Sequence, residues 1–182
     1  MNIKDNLVRH YLWLRQYGLN DSHSGNASVR DGDSFWITPT GCCADLVSSG
    51  DLIECQIDGV IGKGASMDAP LHLAVYQANP KTQAVLHSHG PYSVAMTMDN
   101  EEFLPADFEG QLYFNRVPVL TIPYDQYEAH SPRMVAEVLV DYPIAVVRVY
   151  ACAATLNLAY KWTCSLELSA KTAFIAQQAG KI

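Results

Sequence analysis

Apolar positions along this chain follow two periods, one helical and one extended. Leu7, Tyr11, Leu12 and Leu14 share a helical face and Tyr17-Gly18 supplies a stop, which predicts an opening helix. Short extended runs follow at 27–30 and 34–38 around Asp31-Gly32, and at 52–57 and 60–61 around Asp58-Gly59. Each pair is joined by a hairpin-type dipeptide, so this part reads as antiparallel sheet. From Asp68 to Ala78 the positions Leu71, Ala74, Val75 and Ala78 recur with helical spacing until Asn79-Pro80 ends the pattern. Apolar runs at 83–87, 117–122 and 144–149 complete the sheet, with a helix expected over 131–140 between the last two. Leu156, Ala159, Thr163, Leu166, Ala170, Ala173 and Gln177 trace one face of a long final helix. With no repeat, low-complexity tract or linker, the expectation is one α/β domain over 1–182: a mainly antiparallel central sheet flanked by helices.

A chain of 182 residues can bury a real core, about 70% of the surface its unfolded form exposes. The formal charge of -7 argues against a nucleic-acid partner. Five cysteines (Cys42, Cys43, Cys55, Cys152, Cys164) without a CxxC pair point to neither a disulfide framework nor a zinc knuckle, and fit a reducing cytoplasm. The first residues carry no apolar signal core and no stretch has membrane-spanning length, so neither export nor a membrane partner is expected.

The candidate chemistry starts at Ala84-Val85-Leu86-His87-Ser88-His89-Gly90. Alternation along a strand points His87 and His89 the same way, with Leu86 and Ser88 facing away, as a pair of metal ligands requires. A pair of hydrogen-bonded histidines at a strand end is the plainer alternative. Asp68, His72 and Tyr76 are spaced i, i+4, i+8, with Asp68 in the first turn, where a helix favours an anion either for catalysis or simply for its own stability. Ser24-Gly25-Asn26 and Thr38-Pro39-Thr40-Gly41 hold the ingredients of an anion cradle, although each alone is more often just a turn.

In order, these pieces resemble the class II aldolase and adducin-head family, of the fuculose-phosphate aldolase kind. The carrying residues are Tyr17-Gly18-Leu19, Ser24-Gly25-Asn26-Ala27-Ser28-Val29-Arg30, Ile37-Thr38-Pro39-Thr40-Gly41, Asp58-Gly59, Ser66, Leu71-His72-Leu73-Ala74-Val75-Tyr76 and the His87-Ser88-His89 stretch, spanning about residues 7 to 175. The resemblance implies a helix-flanked sheet in a homo-oligomer, usually a tetramer, with active sites at subunit boundaries. It also implies a divalent metal, commonly zinc, that stabilises an enediolate while a small hydroxy-carbonyl compound is cleaved or made. His87 and His89 then match two histidine ligands, Asp68 the acid/base, and Gly25, Asn26, Thr40, Gly41 and Ser66 the positions that hold a substrate phosphate.

The chain departs from the family pattern in the site itself. An Arg-Asn-His-Gly turn that would carry the third histidine reads Arg148-Val149-Tyr150-Ala151, and Ser-Ser-Glu reads Ser66-Met67-Asp68. Aspartate draws the carboxylate back by about 1.5 Å, a displacement that can cost roughly a hundredfold in rate. Tyr150 is the first candidate for the third ligand, as a phenolate whose pKa of about 10 a cation would lower. Asp68, His130 and Cys152 are its rivals, and a neutral tyrosine filling the space is the alternative to all of them. His87, His89 and Asp68 together would be a set suited to iron and oxygen chemistry, and manganese is a further candidate ion. Met67 adds apolar surface, pointing to a non-phosphorylated or partly aromatic acid. The leading expectation is a metal-dependent lyase that breaks a carbon–carbon bond by retro-aldol cleavage or decarboxylation, and a non-catalytic interaction module is the other class.

Overall fold

The computed structural model describes residues 2–99, 101–147 and 149–182. Helix α1 (Ile3–Gln16) is capped by Asn2, whose side chain accepts from the Lys4 amide at 3.1 Å, and it buries Leu7, Tyr11 and Leu14. It ends where expected: Gly18 adopts φ 72° while the Leu19 amide returns to the Leu14 carbonyl. Strands β1 (Asn26–Asp31), β2 (Ser34–Ile37) and β3 (Ile53–Gln56) form an antiparallel meander. After α2 (Ala69–Ala78), β4 (Ala84–Ser88) pairs with β1 on one side and with β8 (Val149–Ala153) on the other. β7 (Ile144–Val146) closes a six-stranded antiparallel sheet of order β3-β2-β1-β4-β8-β7.

Side-chain alternation on β4 divides the core. Val85 joins Phe35, Leu71, Tyr76 and Val135 beneath α2 and α5 (Tyr127–Leu139). Ala84 and Leu86 face the other way, toward Leu7, Tyr11 and Leu156 of α1 and the long α6 (Leu156–Gln178). Fully burying a Leu- or Phe-sized side chain stabilises the fold by about 1.5–3 kcal/mol. The two apolar faces therefore fix the register of β4. Among the described residues no helix is long and apolar enough to cross a membrane.

Several expected elements differ. Residues 60–61 form no strand; the Gln56 amide reaches the Val60 carbonyl, and glycines at 62 and 64 lead the chain away. In the 117–122 run only β6 (Val117–Pro118) is a strand, paired with β5 (Glu102–Phe103), because Pro118 has no amide proton to extend the ladder. The 144–149 run is not one strand but the turn of a hairpin, with Val146 opposite Val149 and Tyr150 opposite Ala145. Arg148, quoted in the family motif, lies outside the described residues. Helix α5 begins at Tyr127, after a 3-10 turn (Tyr124–Gln126), rather than at 131, and runs through Pro132. Short helices α3 (Pro91–Ala95) and α4 (Phe108–Tyr113) had no counterpart in the pattern.

Candidate active site

Three strands place one row of side chains across the sheet. Asn26 on β1 is opposite His87 on β4, and His87 is opposite Tyr150 on β8. All three point to the α2 face, and the Tyr150 ring stacks on the His87 ring at 4.2 Å between centroids. His89, just past β4, brings its ring to 4.7 Å from that of His87.

Over this row sits Asp68, the N-cap residue of α2, whose side chain makes no capping bond. Its Oδ2 accepts from Asn26 Nδ2 at 2.7 Å, His87 Nδ1 at 2.9 Å and the Tyr150 hydroxyl at 2.9 Å. The Tyr127 hydroxyl lies 3.3 Å from Oδ1 and 2.5 Å from the Tyr150 hydroxyl. An ionised carboxylate only accepts, so Nδ1 of His87 carries the proton in that contact. Burial alone would raise the Asp68 carboxyl, but the His87 hydrogen bond and charge, with Asn26, hold it well below the usual carboxylate range. Burial, then the Asp68 charge and Tyr127, push the Tyr150 phenol well above 10.

Behind the carboxylate a second polar layer supports the row. Ser28 Oγ is 2.7 Å from His72 Nδ1 and 2.7 Å from the Tyr76 hydroxyl, and Arg30 donates to the Tyr76 carbonyl at 2.6 Å. Burial lowers the fully enclosed His72 to about 3, so this imidazole is neutral. The i, i+4, i+8 spacing thus puts one residue in the site and two beneath it.

A cavity of about 850 Å³ opens above the row, and Asp68, His87 and His89 line it together with Gly25, Asn26, Thr40, Gly41 and Ser66. Tyr150 lies behind that lining, with no exposed surface. Gly25 has φ 68°, and a Cβ there would fall 2.3 Å from Asn20 Nδ2 and 2.4 Å from the His87 carbonyl oxygen, so glycine is required. Of the rival ligands, His130 is exposed on α5, and the Cys152 thiol contacts the Leu139 carbonyl in the core. Sequence reasoning missed Tyr127 and Asn20. Tyr127 is 59 positions from Asp68 and precedes the helical pattern. Asn20 Oδ1 accepts from the His89 amide at 2.9 Å and its Nδ2 reaches the His87 carbonyl at 3.4 Å, a brace that no spacing rule announces.

Residues 5–174 match the Class II Aldolase and Adducin N-terminal domain family. The chain belongs to that family. An L-fuculose phosphate aldolase of Methanocaldococcus jannaschii is 30% identical over 127 residues, 69% of this chain and 67% of that protein. A 3-oxo-tetronate 4-phosphate decarboxylase of Cupriavidus necator is 32% identical over 98 residues, 53% of this chain and 45% of its own length. The match thus spans two thirds of the first relative and under half of the second. An l-fuculose-1-phosphate aldolase structure from Thermus thermophilus superposes with a TM-score of 0.89 at 28% identity, over 98% of this chain and 95% of that one.

Class II aldolases generally depend on a divalent metal, and the donors of this family member can be tested against that requirement. His87 and His89 are suitably paired, yet the described residues contain no group of three His, Cys, Asp or Glu side chains able to hold an ion. The Tyr150 hydroxyl is directed at Asp68 and lies 2.5 Å from the Tyr127 hydroxyl, where it serves as a hydrogen-bond donor. Asp68 Oδ2 already receives three donors. As arranged, these residues do not fit a resident three-ligand metal.

Proposed function

We propose that the chain is an aldolase-type lyase that breaks a carbon–carbon bond, by retro-aldol cleavage or decarboxylation, in a small hydroxy-carbonyl compound. The observation that carries this reading is a largely buried carboxylate, surrounded by hydrogen-bond donors that favour its charged form, lining a cavity together with Gly25, Thr40, Gly41 and Ser66. The names of the relatives, an aldolase and a decarboxylase, support it, since both reactions leave electrons on carbon beside a carbonyl. Gly25, Asn26, Thr40, Gly41 and Ser66 border the anionic end of the substrate, with the Gly25 and Gly41 backbone and the Thr40 and Ser66 hydroxyls as its donors, since the Thr40 and Ser66 amides are bonded to backbone carbonyls. Asp68 accepts and returns the proton. The donors that keep it ionised also weaken it as a base, which favours substrates whose proton is acidified by an adjacent carbonyl. Asp125 and Glu128 also line the cavity but are exposed.

Met67 and Tyr124, 69% and 91% exposed, put apolar surface at the rim, which favours a substrate without a phosphate or with an aromatic part. The same exposed surface, with Phe108 at 85%, supports association of copies, and we extend the proposal to a homo-oligomer with sites at subunit boundaries. Five unpaired cysteines support a cytoplasmic setting. The test is a panel of hydroxy-carbonyl acids, with and without a phosphate ester, assayed for released aldehyde or carbon dioxide. Product from the unesterified set, reduced at least a hundredfold in Asp68→Asn, is expected. Turnover unchanged in that variant removes Asp68 from the reaction, and no product from either set contradicts the lyase reading.

A further inference from the structure

We infer that Tyr150 and Asp68 form a hydroxyl–carboxylate centre that takes the place of a cation, so that the site works without a resident divalent metal. Position 150 is the cross-strand neighbour of His87, on the same face as the His87–His89 pair, and is where a third inward-facing donor would have to come from β8. The side chain there is too long to stop beside the imidazoles. It lies flat on the His87 ring, at an interplanar angle of 20°, and carries its hydroxyl past the ring to Asp68.

Oδ2 of the carboxylate is used up by the same arrangement, and Oδ1 is the oxygen left to take the substrate proton. Each carboxylate oxygen has about two acceptor sites. Oδ2 faces Asn26, His87 and Tyr150, and Oδ1 faces Tyr127. Binding a cation through Oδ2 would strip at least one of these donors of its acceptor in a largely buried setting, and such a loss costs about 1–3 kcal/mol per group, more where a charge is involved. The two tyrosine hydroxyls add a further constraint, because two protons serve three short contacts: Tyr127 to Tyr150, Tyr150 to Asp68, and Tyr127 to Asp68. The arrangement that satisfies the two shorter contacts runs one way, Tyr127 donating to Tyr150 and Tyr150 donating to Asp68. A ligating phenolate at 150 would remove the proton on which that order depends. The positive end of the α2 dipole, at whose N-cap Asp68 sits, favours the anion without need of a cation.

Calorimetric titration of Zn²⁺, and separately of Mn²⁺, into the EDTA-treated full chain and its His87→Ala variant tests this without reference to any substrate. The expected result is no one-to-one site in the wild-type chain that disappears in the variant. Cation binding that survives His87→Ala lies elsewhere and agrees with the inference. About one cation per wild-type chain, lost in His87→Ala, overturns it. Should that variant fail to fold, His89→Gln serves as the same control. The lyase reading stands or falls separately, on product release, so the two failures are distinguishable.

Discussion

The cavity has two walls built by different means. One wall, the Asn26–His87–Tyr150 row with Asp68 above it, is held by hydrogen bonds between side chains around a buried charge. The facing wall, the loops at 38–42 and 64–67, is held mainly by backbone: Thr40 N to Gly64 O, Ser66 N to Thr38 O, and the Pro39–Ala65 bridge. In the first wall each side chain is fixed by its neighbours, so a change there strands polar partners. In the second the backbone conformation is what holds the fold, and side chains are exchangeable without loss of stability as long as φ is respected.

Mutations can break that contrast. Asp68→Ala leaves Asn26, His87 and Tyr150 without their common acceptor, and should lower unfolding stability by about 3–5 kcal/mol in urea titration; a loss under about 1 kcal/mol would mean the row holds itself together. Gly25, next to Asn26 of the first wall, should be nearly as sensitive. Alanine there combines a left-handed φ of 68° with overlap on Asn20 and the His87 carbonyl, for about 2–4 kcal/mol.

Acid should act first on the polar layer behind the first wall. His72 is neutral in the fold with its pKa near 3, whereas in the unfolded chain it titrates near 6.5, so the unfolded state takes up the proton first. Stability is therefore full above pH 6.5 and falls as pH drops toward 3, by about 2 kcal/mol at pH 5. The depressed Asp68 carboxyl adds loss in the same direction below about pH 4. Thermal melts from pH 7 to 4 should show the decline, and His72→Gln should flatten it between pH 6.5 and 5. The smallest effect belongs to the second wall. Gly41→Ala meets open space at φ 64°, so only conformational strain of about 1 kcal/mol is expected. Equal costs at Gly25 and Gly41 would erase the distinction between the walls.

The same division governs what the sequence reveals. Strand β4 and helix α2 were legible because their periodicity and chain breakers are local, and with them the facing of His87 and His89 and the place of Asp68. The cradle glycines were legible as turns. Strand β8 was not, because its apolar run continues through a tight hairpin from β7 and periodicity does not mark the reversal. Tyr150 was singled out from its position in the family motif. That its hydroxyl goes to Asp68 depends on a pairing 82 residues apart. The start of α5 was hidden by Pro132, since the residue before a proline is biased away from helix, and Tyr127 was hidden with it. Asn20 serves through contacts with residues 67 and 69 positions away.

The central claim is that Tyr150 and Asp68 act as one unit. A double-mutant cycle on unfolding free energy, with Asp68→Asn, Tyr150→Phe and the pair, measures that directly. The account predicts a coupling of about 1–3 kcal/mol, as for a hydrogen bond to a buried charge. Additive losses, with coupling near zero, would contradict it and return Tyr150 to the role of a space-filling ring.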